Sequence, residues 1–203
     1  WELSGYRTWK QANLYEAKIS FSGGKIEDTA GQRFGFRFFT VGEKNGDKRF
    51  YLNGERVFIF AAMTRGFWPT NGIFATPEMA KRDMDMLIDM GFNMMLLHRA
   101  IGQPPVIDYA DRMGLMTYEE PGGYRIMPNK ADNIDGPDQQ AHRWREEKLR
   151  RMIIRDRSLP SMVIYNFKNE ATKAPDEYDI NNMKMVFELD PSRILTYNSD
   201  RNR

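Results

Sequence analysis

Arg155-Asp156-Arg157-Ser158-Leu159-Pro160-Ser161-Met162-Val163-Ile164-Tyr165-Asn166-Phe167-Lys168-Asn169-Glu170 is the stretch on which the fold turns. Its first part reads as a helix end and a turn. Met162 to Phe167 then reads as a continuous apolar strand, the kind a parallel sheet buries on both faces. The strand runs out into an amide and a carboxylate, Asn169-Glu170, so both groups leave from one rim of a sheet. A carboxyl group there can serve as a general acid, because burial and neighbouring carboxylates raise its pKa toward the working pH. Helix capping and ion pairing are the bland alternatives.

Working outward from that strand, the same alternation repeats. Thr76-Pro77 starts a helix as N-cap and first residue. Ala80, Met84, Leu87 and Ile88 form its inner stripe, and Gly91 ends it. Phe92 to Leu97 is another apolar strand. Pro104-Pro105 opens a helix that Gly114 closes, and Leu115 to Tyr118 is a strand ending in Glu119-Glu120. Residues 121 to about 138 are rich in Gly, Pro, Asn and Asp, a long loop of the kind usually kept for function. A basic helix follows from about 140 to 157. Past Glu170, a helix carries Met183, Val186 and Phe187, Asp190-Pro191 ends it, and Ile194 to Tyr197 is a last strand. Five strands alternating with four helices imply a parallel sheet, either open or part of an eight-stranded barrel. No Gly-rich phosphate fingerprint follows any strand, which weighs against a nucleotide-binding open sheet.

Upstream, the period is two. Leu14 to Phe21 reads as a strand, Ser22 to Lys25 as a turn, and Phe34 to Val41 as a strand. Gly42 to Lys48 reads as a polar link, and Phe50 to Phe60 as a hairpin about Asn53-Gly54. This part reads as the end of an antiparallel sandwich.

Composition sets wide bounds. The chain has 203 residues with a net charge of +2, so the total implies neither a nucleic-acid nor a membrane partner. No apolar run reaches the roughly 18 residues of a membrane span. Cysteine is absent, so disulfides and thiolate metal sites are excluded. His98 and His142 lie far apart, without metal-ligand spacing, and no metal or other cofactor is expected. Arg143 to Arg157 holds Trp144 among six arginines and reads as a solvated helix face before a nucleic-acid surface. Residue 1 is Trp, with no signal-peptide pattern after it, so the expectation is a piece of something longer or a chain whose leader was removed.

Six segments in order resemble family 2 of the glycoside hydrolases, the group of β-galactosidases, β-glucuronidases and β-mannosidases. Phe34-Gly35-Phe36-Arg37 resembles its link from sandwich to barrel, and Phe50 to Val57 its "xLNGxxV" entry to the barrel. Gly91-Phe92-Asn93 resembles "GFN". Asp111-Arg112-Met113-Gly114-Leu115 with Glu120 resembles "CDxxGLxVxDE". Arg155 through Glu170 resembles "RDRNHPSVIxWSxGNE", and Asp190-Pro191-Ser192-Arg193 resembles "DPTRP". The resemblance implies an α/β fold: the first part of a (β/α)8 TIM barrel over residues 49–203, preceded by the end of an immunoglobulin-like β-sandwich over 1–48. It implies a retaining glycosidase acting on a terminal β-linked sugar, with Glu170 as general acid/base and Asn169 on the sugar 2-hydroxyl. The nucleophilic Glu would lie outside this chain, so the chain alone should be inactive. It implies a carbohydrate substrate, no nucleic acid, no membrane, and the rest of the polypeptide or a homo-oligomer as partner. It also leans toward a periplasmic or extracellular location, which the residues themselves do not fix.

The departures point to an altered pocket. The family's Arg-His after its first barrel strand is Thr64-Arg65, the His of "RxSHYP" is Arg99, and the Asp of "DE" is Glu119. The His of "NHPS" is Leu159 and the Trp of "IxWS" is Tyr165. Glu120, His98, Arg99 and Arg65 are therefore expected to bind the substrate, an acidic sugar being one fit, with Trp68 or Tyr124 stacking on it. His98 reads equally well as a core histidine, and Trp68 as a packing residue. A catalytically degenerate carbohydrate-binding or scaffold protein of the same fold is the alternative.

Overall fold

The computed structural model describes residues 12–66, 71–122, 137–169 and 174–198. Five parallel strands form one sheet: β6 (Ala61–Thr64), β7 (Met94–Leu97), β8 (Met116–Glu119), β9 (Met162–Lys168) and β10 (Ile194–Asn198). Their spatial order is their chain order, and every neighbouring pair is parallel. A doubly wound sheet would reverse direction at a switch point. Monotonic winding without reversal is how a (β/α) barrel starts. The four connecting helices are α1 (Pro77–Asp89), α2 (Pro104–Met113), α3 (Pro137–Asp156) and α4 (Glu177–Leu189).

Their ends follow local chemistry. The Met79 amide donates to Thr76 Oγ1 at 3.3 Å, with Pro77 at the first turn. Gly114 ends α2 in the left-handed region at φ 69, where a side chain would be strained. Asp176 and Asp179 form a reciprocal capping box on α4.

The three central strands of the sheet, β7, β8 and β9, are buried on both faces. On one, Met95, Leu97, Leu115, Met162, Tyr165 and Phe167 pack against the helices through Met84, Ile107, Ile153 and Val186. On the other, Met94, Met116, Val163 and Ile164 meet Phe39 and Leu52. Those last two come from a three-stranded antiparallel meander, β3 (Phe39–Lys44), β4 (Asp47–Leu52) and β5 (Glu55–Val57). Since Met94, Met116 and Val163 lie at the starts of their strands, the meander plugs the N-terminal mouth. Each side chain buried there contributes ~1.5–3 kcal/mol.

Two tight turns make the meander, Asn45-Gly46 (φ 55 and 77) and Asn53-Gly54 (φ 52 and 86). Both central residues have positive φ, as a type I′ hairpin requires. The expected polar link at 42–48 is thus the first of these hairpins, and the expected strand 34–41 is broken at 35–38. The expected hairpin arm to Phe60 stops at Val57, and the barrel strand begins at Ala61. The domain boundary expected at 48/49 falls inside β4.

Ahead of the meander, β1 (Tyr15–Gly23) and β2 (Ile26–Phe34) form a separate antiparallel pair. Tyr15 stacks on Phe34 at its base and Phe36 meets both rings edge-on, with centroids 5.2–5.8 Å apart. No second sheet faces it among the described residues, so the expected sandwich is not seen in them.

The N-terminal rim is held by side chains on main-chain groups. Arg37 donates to the carbonyls of Pro160 (2.9 Å) and Met162 (2.6 Å), and Arg193 to those of Met162 (3.0 Å) and Leu159 (2.8 Å). Burial, and then the neighbouring Arg193, lower the Arg37 pKa to about 10. Asp111 accepts from the Ser161 amide at 2.8 Å. Asn93 accepts from the Phe60 amide (2.9 Å) and donates to the Phe58 carbonyl (2.6 Å), tying the entry of β6 to that of β7. Several motif residues therefore have structural work at this rim.

Candidate active site

The opposite, C-terminal rim carries the residues singled out by sequence. β7 runs on by one residue, since the His98 amide donates to the Thr64 carbonyl at 2.8 Å. Arg99 then turns left-handed at φ 56, which lets its amide donate to Glu120 Oε2 at 2.8 Å. This brings His98 and Glu120 together: Nδ1 of His98 lies 3.8 Å from Glu120 Oε1, and both side chains are buried. Neither atom has a hydrogen-bond partner among the described residues. Buried polar atoms without partners are rare in folded proteins and cost free energy. Two of them facing each other at a strand-end rim are suited to a ligand hydroxyl between them.

The two adjacent glutamates separate. Glu120 faces the His98 side, whereas Glu119 points into the helix layer. There it accepts from the Gly102 amide at 2.5 Å and pairs with Arg155 at 3.3 Å. Arg155 in turn donates to both oxygens of Asp156. Burial, and then the charge of Asp156, push the Glu119 pKa well above the usual carboxylate range. Glu119 is thus a packing and tethering group.

Asn169 is half-buried at the end of β9. The strand below it is fixed on both sides. Thr196 Oγ1 donates to Asn166 Oδ1 at 2.8 Å, across to β10. Lys168 Nζ donates to Asp179 Oδ2 at 2.6 Å, and Tyr197 donates to the same oxygen at 3.0 Å. Burial, and then Asp179, raise the Tyr197 pKa, so this phenol stays protonated. The Lys168–Asp179–Tyr197 clamp escaped the sequence reading. Its one visible signal was a lysine where the resembling pattern has glycine.

Arg65 and Arg99 come together elsewhere. Both line a cavity of about 320 Å³ between β7, α1 and α2, whose lining does not include His98 or Glu120. Glu170, Trp68 and Tyr124 lie outside the described residues. Among the described residues no group of three or more His, Asp or Glu is placed to hold a metal ion, and no helix is long and apolar enough to cross a membrane.

A singly wound parallel sheet, plugged at its N-terminal mouth and bearing carboxylate, imidazole and amide groups at the other, is the start of a TIM-barrel enzyme scaffold. Residues 44–203 match the description "Glycosyl hydrolases family 2, TIM barrel domain". The chain belongs to that family. It is 30% identical over 205 residues to a putative β-glucuronidase of Formosa agariphila, covering 96% of this chain and 18% of that protein. It is 25% identical over 185 residues to a β-galactosidase of Thermoanaerobacterium thermosulfurigenes, covering 89% of this chain and 24% of that protein. A β-glycosidase from Bacteroides vulgatus shares the fold with a TM-score of 0.75 at 24% identity, over 90% of this chain and 23% of that one. The chain thus spans about a quarter or less of the length of these relatives.

Proposed function

We propose that this chain is the acid/base half of a retaining β-glycoside hydrolase. What carries the reading is Asn169 at the C-terminal end of β9, with Glu170 next in sequence, in a sheet wound as a barrel start. Glu170 donates its proton to the glycosidic oxygen as that bond breaks. A second Glu, from outside this chain, attacks the anomeric carbon, about 5–5.5 Å from the first for retention. Water then releases the sugar, with Glu170 returning as base. Asn169 holds the 2-hydroxyl, where hydrogen bonds strengthen as the ring gains oxocarbenium character. His98 and Glu120 hold another hydroxyl through the two atoms left unpartnered. Trp68 keeps a proposed stacking role from sequence alone. Arg65 and Arg99 line the separate cavity and are argued below.

The relatives named above as β-glucuronidase and β-galactosidase support a terminal β-linked sugar. Residues 1–48 are proposed as the end of an immunoglobulin-like sandwich and 49–203 as the first five βα units, completed by further polypeptide. Glu170→Gln tests the reading in the intact polypeptide. Hydrolysis of substrates with poor leaving groups should fall ~10²–10⁴-fold while sugar binding persists. Unchanged hydrolysis would remove Glu170 from the chemistry. Sugar binding in a wild-type protein with no hydrolysis to lose would instead show a degenerate binding protein.

A further inference from the structure

The cavity behind β7 has a composition that the glycosidase reading does not use. Its floor is apolar, built by Met84 on α1, Met95 and Leu97 on β7, and Val106 on α2. Its remaining lining includes the basic side chains Arg65 and Lys148. Lys148 reaches it from α3: its Nζ lies against Gly122, where a Cβ would stand 3.3 Å away and collide with the Arg99 carbonyl at 2.8 Å. Partial desolvation lowers the Lys148 pKa. Arg65 and Lys148 form no ion pair among the described residues. Two cations beside an apolar floor suit a ligand with an anionic end and an apolar body.

We propose that this cavity binds an amphipathic carboxylate, an aromatic or branched acid whose anionic end meets Arg65 and Lys148 and whose apolar body lies on Met84, Met95, Leu97 and Val106. A guanidinium matches a carboxylate with two parallel hydrogen bonds, and an ammonium adds a point charge. The volume of about 320 Å³ is at the small end of ligand pockets, which suits one ring with a short acidic arm. A bare sulfate would leave the floor unused, and a sugar would set its hydroxyls against it. The site needs no hydrolysis, so it stands or falls apart from the glycosidase reading.

The test is a methyl-NMR titration of the intact polypeptide labelled at its methionine methyls, with phenylacetate as probe. Met84 and Met95 report from the floor. Their methyl signals should shift and saturate with a Kd of about 1 mM or below. The neutral isostere phenylacetamide and inorganic sulfate should each bind at least about tenfold more weakly. Lys148→Gln and Arg65→Gln, both exposed positions, should each weaken phenylacetate about tenfold. No saturable shift of Met84 and Met95 at about 10 mM phenylacetate would overturn the proposal. So would equal binding of phenylacetamide, or unchanged affinity in both variants.

Discussion

The two ends of the same five strands are built on opposite principles. At the N-terminal rim Arg37, Arg193, Asp111 and Asn93 bond main-chain groups of other elements, and Ser161 Oγ is the one buried side-chain atom there without a hydrogen-bond partner among the described residues. Apolar side chains of the meander fill what is left. At the C-terminal rim, His98 Nδ1, Glu119 Oε2, Glu120 Oε1 and Asp179 Oδ1 are buried without hydrogen-bond partners among the described residues. Satisfied polar groups stabilise; unsatisfied ones cost free energy and are kept where something else must bind. One end of the sheet holds the fold together, and the other carries the residues of the proposed site.

Removing one side chain from each end tests that contrast most strongly. Arg37→Ala removes the side-chain donor of the Pro160 carbonyl, leaves the Met162 carbonyl to Arg193 alone, and should cost ~2 kcal/mol of stability, read as a lower urea midpoint. Glu120→Gln keeps an acceptor for the Arg99 amide and should cost less than ~1 kcal/mol. Hydrolysis by the intact enzyme should fall ~10-fold or more in Glu120→Gln. If the stability ranking came out reversed, the division of labour between the rims would be wrong.

Next in size is a pH effect at the structural end. Burial raises the Asp111 pKa to about 6 from an ordinary 3.8. Between those values the folded chain holds a proton that the unfolded chain has released. Stability therefore falls as pH rises from about 4 to about 6, and the penalty is complete above the folded pKa. Asp111→Asn still accepts from the Ser161 amide and carries no charge to desolvate. Denaturant titrations should show this part of the slope flattened and a gain of ~1–3 kcal/mol at pH 7. A slope between pH 4 and 6 that is the same in variant and wild type would show that Asp111 is not its source.

The same division explains what could be read from sequence. Alternation of apolar strands with capped helices gave the parallel sheet, because Thr76-Pro77, Gly114 and Asp190-Pro191 signal their boundaries locally. Met162 to Phe167 was legible as a strand because burial on both faces leaves no polar residue before Asn166. The meander is half legible: Asn53-Gly54 reads as a turn, but Asn45-Gly46 reads as part of a link among its polar neighbours. Its role as a plug depends on Phe39 and Leu52 meeting Met94 and Met116, which no local pattern announces. At the site, His98 with Glu120 followed from two strands ending side by side. The separation of Glu119 from Glu120 follows from side-chain alternation along β8, and the path of Arg65 and Arg99 to a cavity behind β7 depends on the turn at Arg99. Neither Lys148 nor the Lys168–Asp179–Tyr197 clamp was legible, since α3 and α4 supply them from far along the chain.

The smallest test asks whether the plug and the C-terminal rim are coupled. Gly54 sits at φ 86 in the second Asn-Gly turn, and a Cβ there would touch nothing nearer than Phe38 Cζ at 4.0 Å. Gly54→Ala therefore adds conformational strain without a clash, ~1 kcal/mol. The loss should appear as a lower urea midpoint. Amide exchange should quicken in β4 and β5, while the His98 and Glu120 region keeps its protection, because Phe39 and Leu52 touch the strand starts and not the strand ends. If exchange at His98 quickened as much as in β5, the plug would be bearing on the rim it faces away from, and the two ends would have to be treated as one cooperative unit.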